Sequence, residues 1–439
     1  MRLLPFLLLW SIAVPLAAAD PANQSRSAAE ALQRYVDAPE DVYAWTLKES
    51  VQAFSGTTHR LELVSQTWQG IVWKHALQVY EPADLDHPEH MLLFVAGGRN
   101  GGIPNGGDIA RGMQLAQLCG ARIAMLHQVP NQPLLGNRVE DDLITETWLK
   151  YLETGDENWP LLFPMAKSAV KAMDALEEFS EEKFDQTLEG FVITGGSKRG
   201  WTSWLTPVAD DRIIATAPFV IDVLNFRPQM KHQLDSWGEF SEQIHSYTRK
   251  GLVKLPDEEE TPREARLREM MDPFSYREKV KIPKLLIVGT NDRFWVVDSM
   301  NIYFDDLVGP RYVRQVPNAG HSLQGGREGA MASLGVFFRH VVTGEQMPEL
   351  TWKFSNSEEQ FSLRIQTDTT PSQVRLWSAT SDSKDFREAT WTSSPMTGAN
   401  GDHVATIERP DNGHVAVFGE VQFEYEGIPW SLTTLVYRR

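Results

Sequence analysis

The stretch Gly190-Phe191-Val192-Ile193-Thr194-Gly195-Gly196-Ser197-Lys198-Arg199-Gly200-Trp201 decides how the chain is read. An apolar run rich in β-branched residues ends in two glycines and a serine, and a segment of helical character follows at once. A strand buried on both faces hands over to a helix in this way through one sharp turn, with the serine hydroxyl held clear at the carboxyl end of the sheet. The backbone N–H groups that open the helix favour negative charge developing beside that hydroxyl. The spacing departs from Gly-x-Ser-x-Gly at one place: Arg199 stands where the second glycine is expected, and Gly200 follows it.

Outward from this stretch, short apolar runs alternate with helical periods, the pattern of a mostly parallel sheet covered by helices on both faces. Residues 91–96 read as a strand leading into the loop Gly97-Gly98-Arg99-Asn100-Gly101-Gly102. A helix is expected at about 108–119, a strand at 121–129, and helices near 142–151 and 160–179. Downstream, 212–221, 284–289 and 310–316 read as strands and 326–342 as the closing helix. Residues 222 to about 282 break this rhythm, being helical and polar, and such an insertion is expected over the site as a cap. Its acidic run Asp257-Glu258-Glu259-Glu260 reads as a solvated helix start.

Before this unit, residues 28–51 are helix-prone with a break at Pro39, and 60–68 with 71–80 form a hairpin about Gln69-Gly70. Beyond Thr343 the helical period disappears. Evenly spaced alternating runs at 360–367, 373–378, 388–391, 403–407, 415–425 and 429–437 predict a small β-sandwich of immunoglobulin or fibronectin type.

Residues 1–19 carry the marks of a secretory signal peptide: Arg2, an apolar stretch at 3–16, and Ala17-Ala18-Ala19 as a cleavage site. Pro5 and Pro15 shorten the apolar run below a comfortable membrane span. The mature protein is therefore expected to be periplasmic or secreted, without stable membrane insertion. The division is then 1–19 leader, 20–345 α/β unit with its insertion at about 222–282, and 346–439 β-domain. A net charge of −17 over 439 residues argues against nucleic acid as a partner. Cys119 is the only cysteine, so no internal disulfide can form, and its apolar surroundings read it as a small buried hydrophobe. His87 and His90 lack a second ligand pair at metal-binding spacing, and neither metal nor cofactor is expected.

Three chemistry-bearing residues fall at expected strand ends in the order Ser197, Asp292, His321. Nucleophile, acid and base in that order mark the α/β-hydrolase fold, since parallel strands bring their carboxyl ends to one edge. A serine hydroxyl is a weak nucleophile, so an imidazole must take its proton and a carboxylate must orient the imidazole. Asp222, at the end of the preceding strand, is the rival acid. The oxyanion of an acyl-transfer intermediate needs two donors, for which the Lys198 N–H and the N–H of Gly98 (or of Arg99) are the candidates. Arg99, Arg199 and Trp201 are candidates for binding substrate, although Arg199 and Trp201 can also serve the fold. Glu140, Asp141 and Asp142 either line the pocket or form a solvated helix start.

With its segments GGSKRGW (195–201), GTNDRFW (289–295) and NAGHS (318–322), the chain resembles the PhoPQ-activated pathogenicity-related proteins. The likeness takes in 140–148 and 219–225 and extends over residues 38–439. The resemblance implies an exported α/β-hydrolase-like protein, tied in enteric bacteria to virulence and resistance to antimicrobial peptides, with Ser197, Asp292 and His321 as triad. The family also takes in a secreted slime-mould signalling protein, so a non-catalytic binding role stands beside the hydrolase. Glucuronoyl esterases are similar in placing a basic residue directly after the serine, which keeps a uronate ester among the candidate substrates. The expected partner is accordingly a small molecule, a peptide or a carbohydrate.

Overall fold

A computed structural model describes residues 27–357, 360–408, 410 and 412–439. The expected leader at 1–19 lies outside the described residues. Helix α1 (Ala28–Asp37) precedes three antiparallel strands, β1 (Ala44–Ala53), β2 (Gly56–Trp68) and β3 (Ile71–Pro82). Then come β4 (His90–Val95), α2 (Gly106–Cys119), β5 (Arg122–Leu126), α3 (Glu140–Thr154) and α4 (Leu162–Phe184). The chain continues through β6 (Gly190–Gly196), α5 (Lys198–Ala209) and β7 (Ile213–Phe219). The insertion holds α6 (Phe226–Trp237), α7 (His245–Thr248) and α8 (Pro262–Met271), after which β8 (Lys284–Gly289), β9 (Arg311–Val316) and α9 (Arg327–Thr343) complete the unit.

The sheet order is β1-β2-β3-β5-β4-β6-β7-β8-β9, parallel from β5 onward, which is the α/β-hydrolase sheet with one extra strand at its first edge. Pleating sends alternate side chains into two cores. Leu93, Phe191, Ile193, Leu286 and Val288 join the core that also holds residues of α1, α4 and α5. Leu92, Val192, Ala215, Ala217, Leu285 and Ile287 join the core that holds residues of α2 and α9. Cys119 is fully buried in that second core. No helix of the described residues is long and apolar enough to cross a membrane.

Residues 44–51, expected to be helical, form part of β1 instead. This strand is the sheet edge, and its side chains are mostly exposed, so no buried stripe marks it in the sequence. Pairing with β2 overrides the local preference. The acidic run is not a helix start either: α8 begins at Pro262, capped by Thr261, while the half-buried side chain of Glu260 is held between Arg227 and Arg268.

The C-terminal strands are β10 (Leu350–Asn356), β11 (Gln360–Thr367), β12 (Gln373–Ser381), β13 (Thr392–Pro395), β14 (Thr397–Ala399), β15 (Asp402–Glu408), β16 (His414–Tyr425), β17 (Ile428–Thr433) and β18 (Tyr437–Arg438). They form two antiparallel sheets, β10-β11-β15-β14 and β13-β12-β16-β17 with β18 on β16. A Cβ on Gly419 would lie 2.1 Å from Ile365 Cδ1, so the sheets approach face to face at that point. Residues 388–391, expected as a strand, form a turn and extended chain ahead of β13.

The sandwich is docked against β9 and α9 rather than tethered. Gln315 N–H donates to Thr433 Oγ1 (2.9 Å), Ser333 Oγ donates to the Ser431 carbonyl (2.9 Å), and Arg314 pairs with Glu420 at 3.0 Å. Both partners of that ion pair are under 9 % exposed. Glu420→Ala should leave the Arg314 charge buried without its counter-ion and cost about 3 kcal/mol. Chemical denaturation checks this, with wild type and variant each expected to unfold in one transition that involves both parts of the chain.

Candidate active site

Ser197 occupies the turn between β6 and α5 with φ 57° and ψ −122°. A non-glycine residue there is strained by about 1–3 kcal/mol and must be held by its neighbours. Its N–H donates to the Phe219 carbonyl (2.9 Å), and its own carbonyl accepts from Trp201 N–H (3.0 Å). Small residues make the turn sterically feasible: a Cβ on Gly195 would meet the Arg199 carbonyl at 2.7 Å, and one on Gly200 would meet Ile221 Cγ2 at 2.6 Å.

The turns after β8 and β9 bring Asp292 and His321 to the same rim. Asp292 Oδ2 lies 2.8 Å from His321 Nδ1, and His321 Nε2 lies 2.9 Å from Ser197 Oγ. Asp292 is buried and also accepts the Phe294 N–H (3.0 Å), while the His321 ring rests on Phe294 at 4.3 Å between centroids. The two turns are stitched together. Asn291 N–H donates to the Ala319 carbonyl (2.9 Å), and Asn318 N–H donates to Thr290 Oγ1 (3.0 Å). A Cβ on Gly289 would lie 2.2 Å from the Ala319 carbonyl oxygen, so only glycine allows this approach.

The β-domain reaches the same turns. Asn291 Nδ2 donates to the Ala389 carbonyl (2.7 Å), and Asn318 exchanges two hydrogen bonds with the backbone of Trp391 (2.9 and 2.7 Å). Arg293 pairs with Glu388 and with Glu242 of the insertion. Asn291 and Asn318 lie inside the two motifs quoted above, yet sequence reasoning missed their role. Their partners are backbone groups far along the chain, which leave no side-chain pattern to read.

Asp222 does not reach the imidazole. Its carboxylate accepts from Tyr303 Oη at 2.6 Å, both groups being buried. Burial, with Asp292 and Asp298 nearby, pushes its pKa up to about 7 against the Tyr303 hydrogen bond.

Arg199 is not free to bind substrate. Its side chain is 9 % exposed, its Nε donates to the Val129 carbonyl, and its two terminal nitrogens fork onto Glu140 at 2.7 Å each. Burial alone would raise the Glu140 pKa, but the Arg199 hydrogen bonds and charge, with Gln132 and Lys198, bring it down to about 2. Gln132 Nε2 bridges Glu140 Oε1 (2.7 Å) and the Gly98 carbonyl (3.0 Å). The guanidinium fits under the glycine loop because a Cβ on Gly97 would lie 2.7 Å from Arg199 Nη2. The residue that departs from the usual spacing thus ties the serine turn to the loop expected to supply an oxyanion donor.

Arg99 is exposed and, with Gly98, lines a depression shared with Asp108, Arg111 and Gln128; it is not among the residues that line the pocket at Ser197. The pocket that opens at Ser197 lies under the insertion and is lined by Lys198 and Trp201, as well as Asp141. Lys198 Nζ pairs with Asp141 at 2.6 Å, Tyr247 Oη donates to Asp141 (3.0 Å), and Asp142 pairs with Arg249 and Lys250 of the insertion. Asp141 is therefore a pocket residue and Asp142 a cap anchor. Among the described residues no group of three or more His, Cys, Asp or Glu is arranged to hold a metal ion.

A family model described as PhoPQ-activated pathogenicity-related protein matches residues 32–387. The chain belongs to that family. The PhoPQ-related chain is 34 % identical over 429 residues to autocrine proliferation repressor protein A of Dictyostelium discoideum, covering 90 % of this chain and 86 % of that one. Among solved structures it is similar to an acetyl xylan esterase from Paenibacillus sp. R4, at 13 % identity and TM-score 0.50, covering 70 % of this chain and 92 % of that one. That likeness shows the α/β-hydrolase fold.

Two outcomes are expected. Glu140→Ala should cost about 2 kcal/mol in thermal or chemical unfolding, less than a fully buried pair because the Glu140 side chain is 38 % exposed. For Asp222, the folded-state pKa lies above the unfolded value of 3.8, so its contribution to stability is full below about pH 4 and is lost as pH rises to about 7. Asp222→Asn should therefore match wild type near pH 4 and exceed it at pH 8, by on the order of 4 kcal/mol in melting experiments.

Proposed function

We propose that the protein is an exported serine hydrolase that cleaves an ester or amide through an acyl-enzyme. The observation that carries this reading is the unbroken chain from Asp292 through His321 to Ser197 Oγ, with contacts of 2.8 and 2.9 Å. Ser197 Oγ attacks the carbonyl carbon while His321 Nε2 takes its proton, and Asp292 fixes the Nδ1–H tautomer and stabilises the imidazolium. The carbonyl π electrons move onto oxygen, where the N–H groups of Lys198 and Gly98 receive the charge. Collapse breaks the bond to the leaving group, which departs with the His321 proton. Water, deprotonated by the same imidazole, then releases the acid and restores Ser197.

Export rests on the leader-like residues 1–19, and a link to virulence or antimicrobial-peptide resistance rests on the family resemblance. A second reading has one observation in its favour: the relative that covers 90 % of this chain is described as an autocrine proliferation repressor. On that reading the chain is a secreted signalling or binding protein that keeps a hydrolase scaffold.

A panel of esters and aminoacyl amides separates the two. The hydrolase reading expects turnover by wild type, with kcat lowered about a million-fold in Ser197→Ala and about ten-thousand-fold in Asp292→Asn. Asp222→Asn should keep wild-type turnover at neutral pH, since Asp222 bonds Tyr303 and not His321. No turnover by folded wild type, with an unchanged biological effect in Ser197→Ala, would favour the signalling reading.

A further inference from the structure

The pocket under the insertion carries a statement about substrate class that goes beyond the reaction type. Resting on the hydrolase reading above, the geometry points to an ester or amide that lodges an uncharged, apolar group beside Ser197, branched-aliphatic or aromatic. A uronate, an acetyl group or a sugar does not match this lining.

Two independent features carry the inference. The first is the wall itself. Trp148 of α3, Trp201 of α5, Phe226 and Met230 of α6, Leu267 of α8 and Phe294 surround the space next to the serine. The rings are set edge to face, Trp148 against Trp201 at 6.0 Å and Trp201 against Phe226 at 5.6 Å. Trp201 Nε1 donates to the Met271 carbonyl (2.7 Å), so its one polar atom is already engaged. Aromatic rings in this arrangement offer faces and edges to a flat or branched hydrocarbon.

The second feature is charge. Every charged side chain that lines the pocket has a partner within the protein. Lys198 holds Asp141 at 2.6 Å, Lys254 holds Glu264 at 3.3 Å, and Arg227 and Arg268 share Glu260 at 3.2 and 2.9 Å. Arg227 donates further to the carbonyls of Leu255, Pro256 and Glu258. Arg227 and Arg268 share the single carboxylate Glu260, but Lys198, the cation next to Ser197, is matched one to one, so a substrate carboxylate beside the serine would have to compete with Asp141 for it. Of the two basic residues that could receive a uronate, Arg199 is committed to Glu140, and Arg99 is not among the residues lining the pocket at Ser197.

The test uses the full-length protein and two sets of measurements. In the first, kcat/KM is measured for p-nitrophenyl esters from acetate to octanoate, for 3-phenylpropanoate, for acetate esters of alcohols of matching length, and for a methyl glucuronate. The inference expects a rise of several-fold per methylene in the acyl or the alcohol series until the pocket is filled, and no advantage for the uronate. In the second, binding of 3-phenylpropanamide, acetamide and glucuronamide to Ser197→Ala is measured by calorimetry. The phenylpropanamide is expected to bind at least tenfold more tightly than the other two. Turnover that is flat or falling along both series, or preference for the uronate, overturns the inference and leaves the hydrolase reading intact. Absence of turnover with the binding preference intact overturns the hydrolase reading and leaves the pocket's selectivity standing. Equal binding of the three amides counts against the inference whatever the turnover.

Discussion

The guanidinium of Arg199 holds the site together. It is forked onto Glu140, anchored on the Val129 carbonyl, and packed beneath Gly97. A strand-to-helix turn with φ 57° at its serine is under strain and does not keep that geometry unaided. Arg199 lies two residues past the serine and carries a planar, permanently charged group that can bind three acceptors at once. Through it the serine turn, the start of α3 and the glycine loop are held against one another. The same placement explains why glycine falls one residue late in the motif. The Arg199 Cβ is accommodated because Gly195 has none, and Gly200 takes the tight contact with Ile221.

The opposite side of the site is braced from the second part of the chain. The acid and base turns are bonded to each other through Thr290, Asn291 and Ala319, and both are then bonded to residues 386–391 ahead of β13. The sandwich is thus a buttress for the Asp292 and His321 turns. Its docking against β9 and α9 follows from the same need, since those elements carry the turn in which His321 stands. Over the rim, the insertion supplies apolar walls, its pocket-lining Arg227, Arg268 and Lys254 pair with its own Glu260 and Glu264, and Arg249 and Lys250 pair with Asp142 of α3. The result is a chamber with largely aromatic and aliphatic walls next to a polar relay, and in such surroundings fixed dipoles act strongly on developing charge.

Much of this was legible in the sequence, for identifiable reasons. Strands β4, β6, β7 and β8 are buried on both faces, so their residues read as uninterrupted apolar runs, and the chemistry-bearing residues follow strand ends where parallel topology must bring them together. The order Ser197, Asp292, His321 needed nothing more. Strand β1 was not legible because an exposed edge strand has no buried face to impose a period. Arg199 was open to a ligand role because its partners, Val129 and Glu140, lie 70 and 59 residues away. Asp222 stayed a rival until Tyr303, 81 residues downstream, was seen to hold it. Arg99 lies in the loop expected to supply an oxyanion donor, and its place in the sequence could not say that its side chain is absent from the lining of the pocket at Ser197.

The central claim is that Ser197 is an activated nucleophile because His321 and Asp292 are in register with it. The direct measurement is the intact and peptide mass of the folded protein after exposure to an alkyl fluorophosphonate. The account predicts one covalent adduct, carried by the peptide that contains Ser197 and absent in His321→Ala. Folded wild type that remains unmodified, or that carries the adduct on another residue, would contradict it.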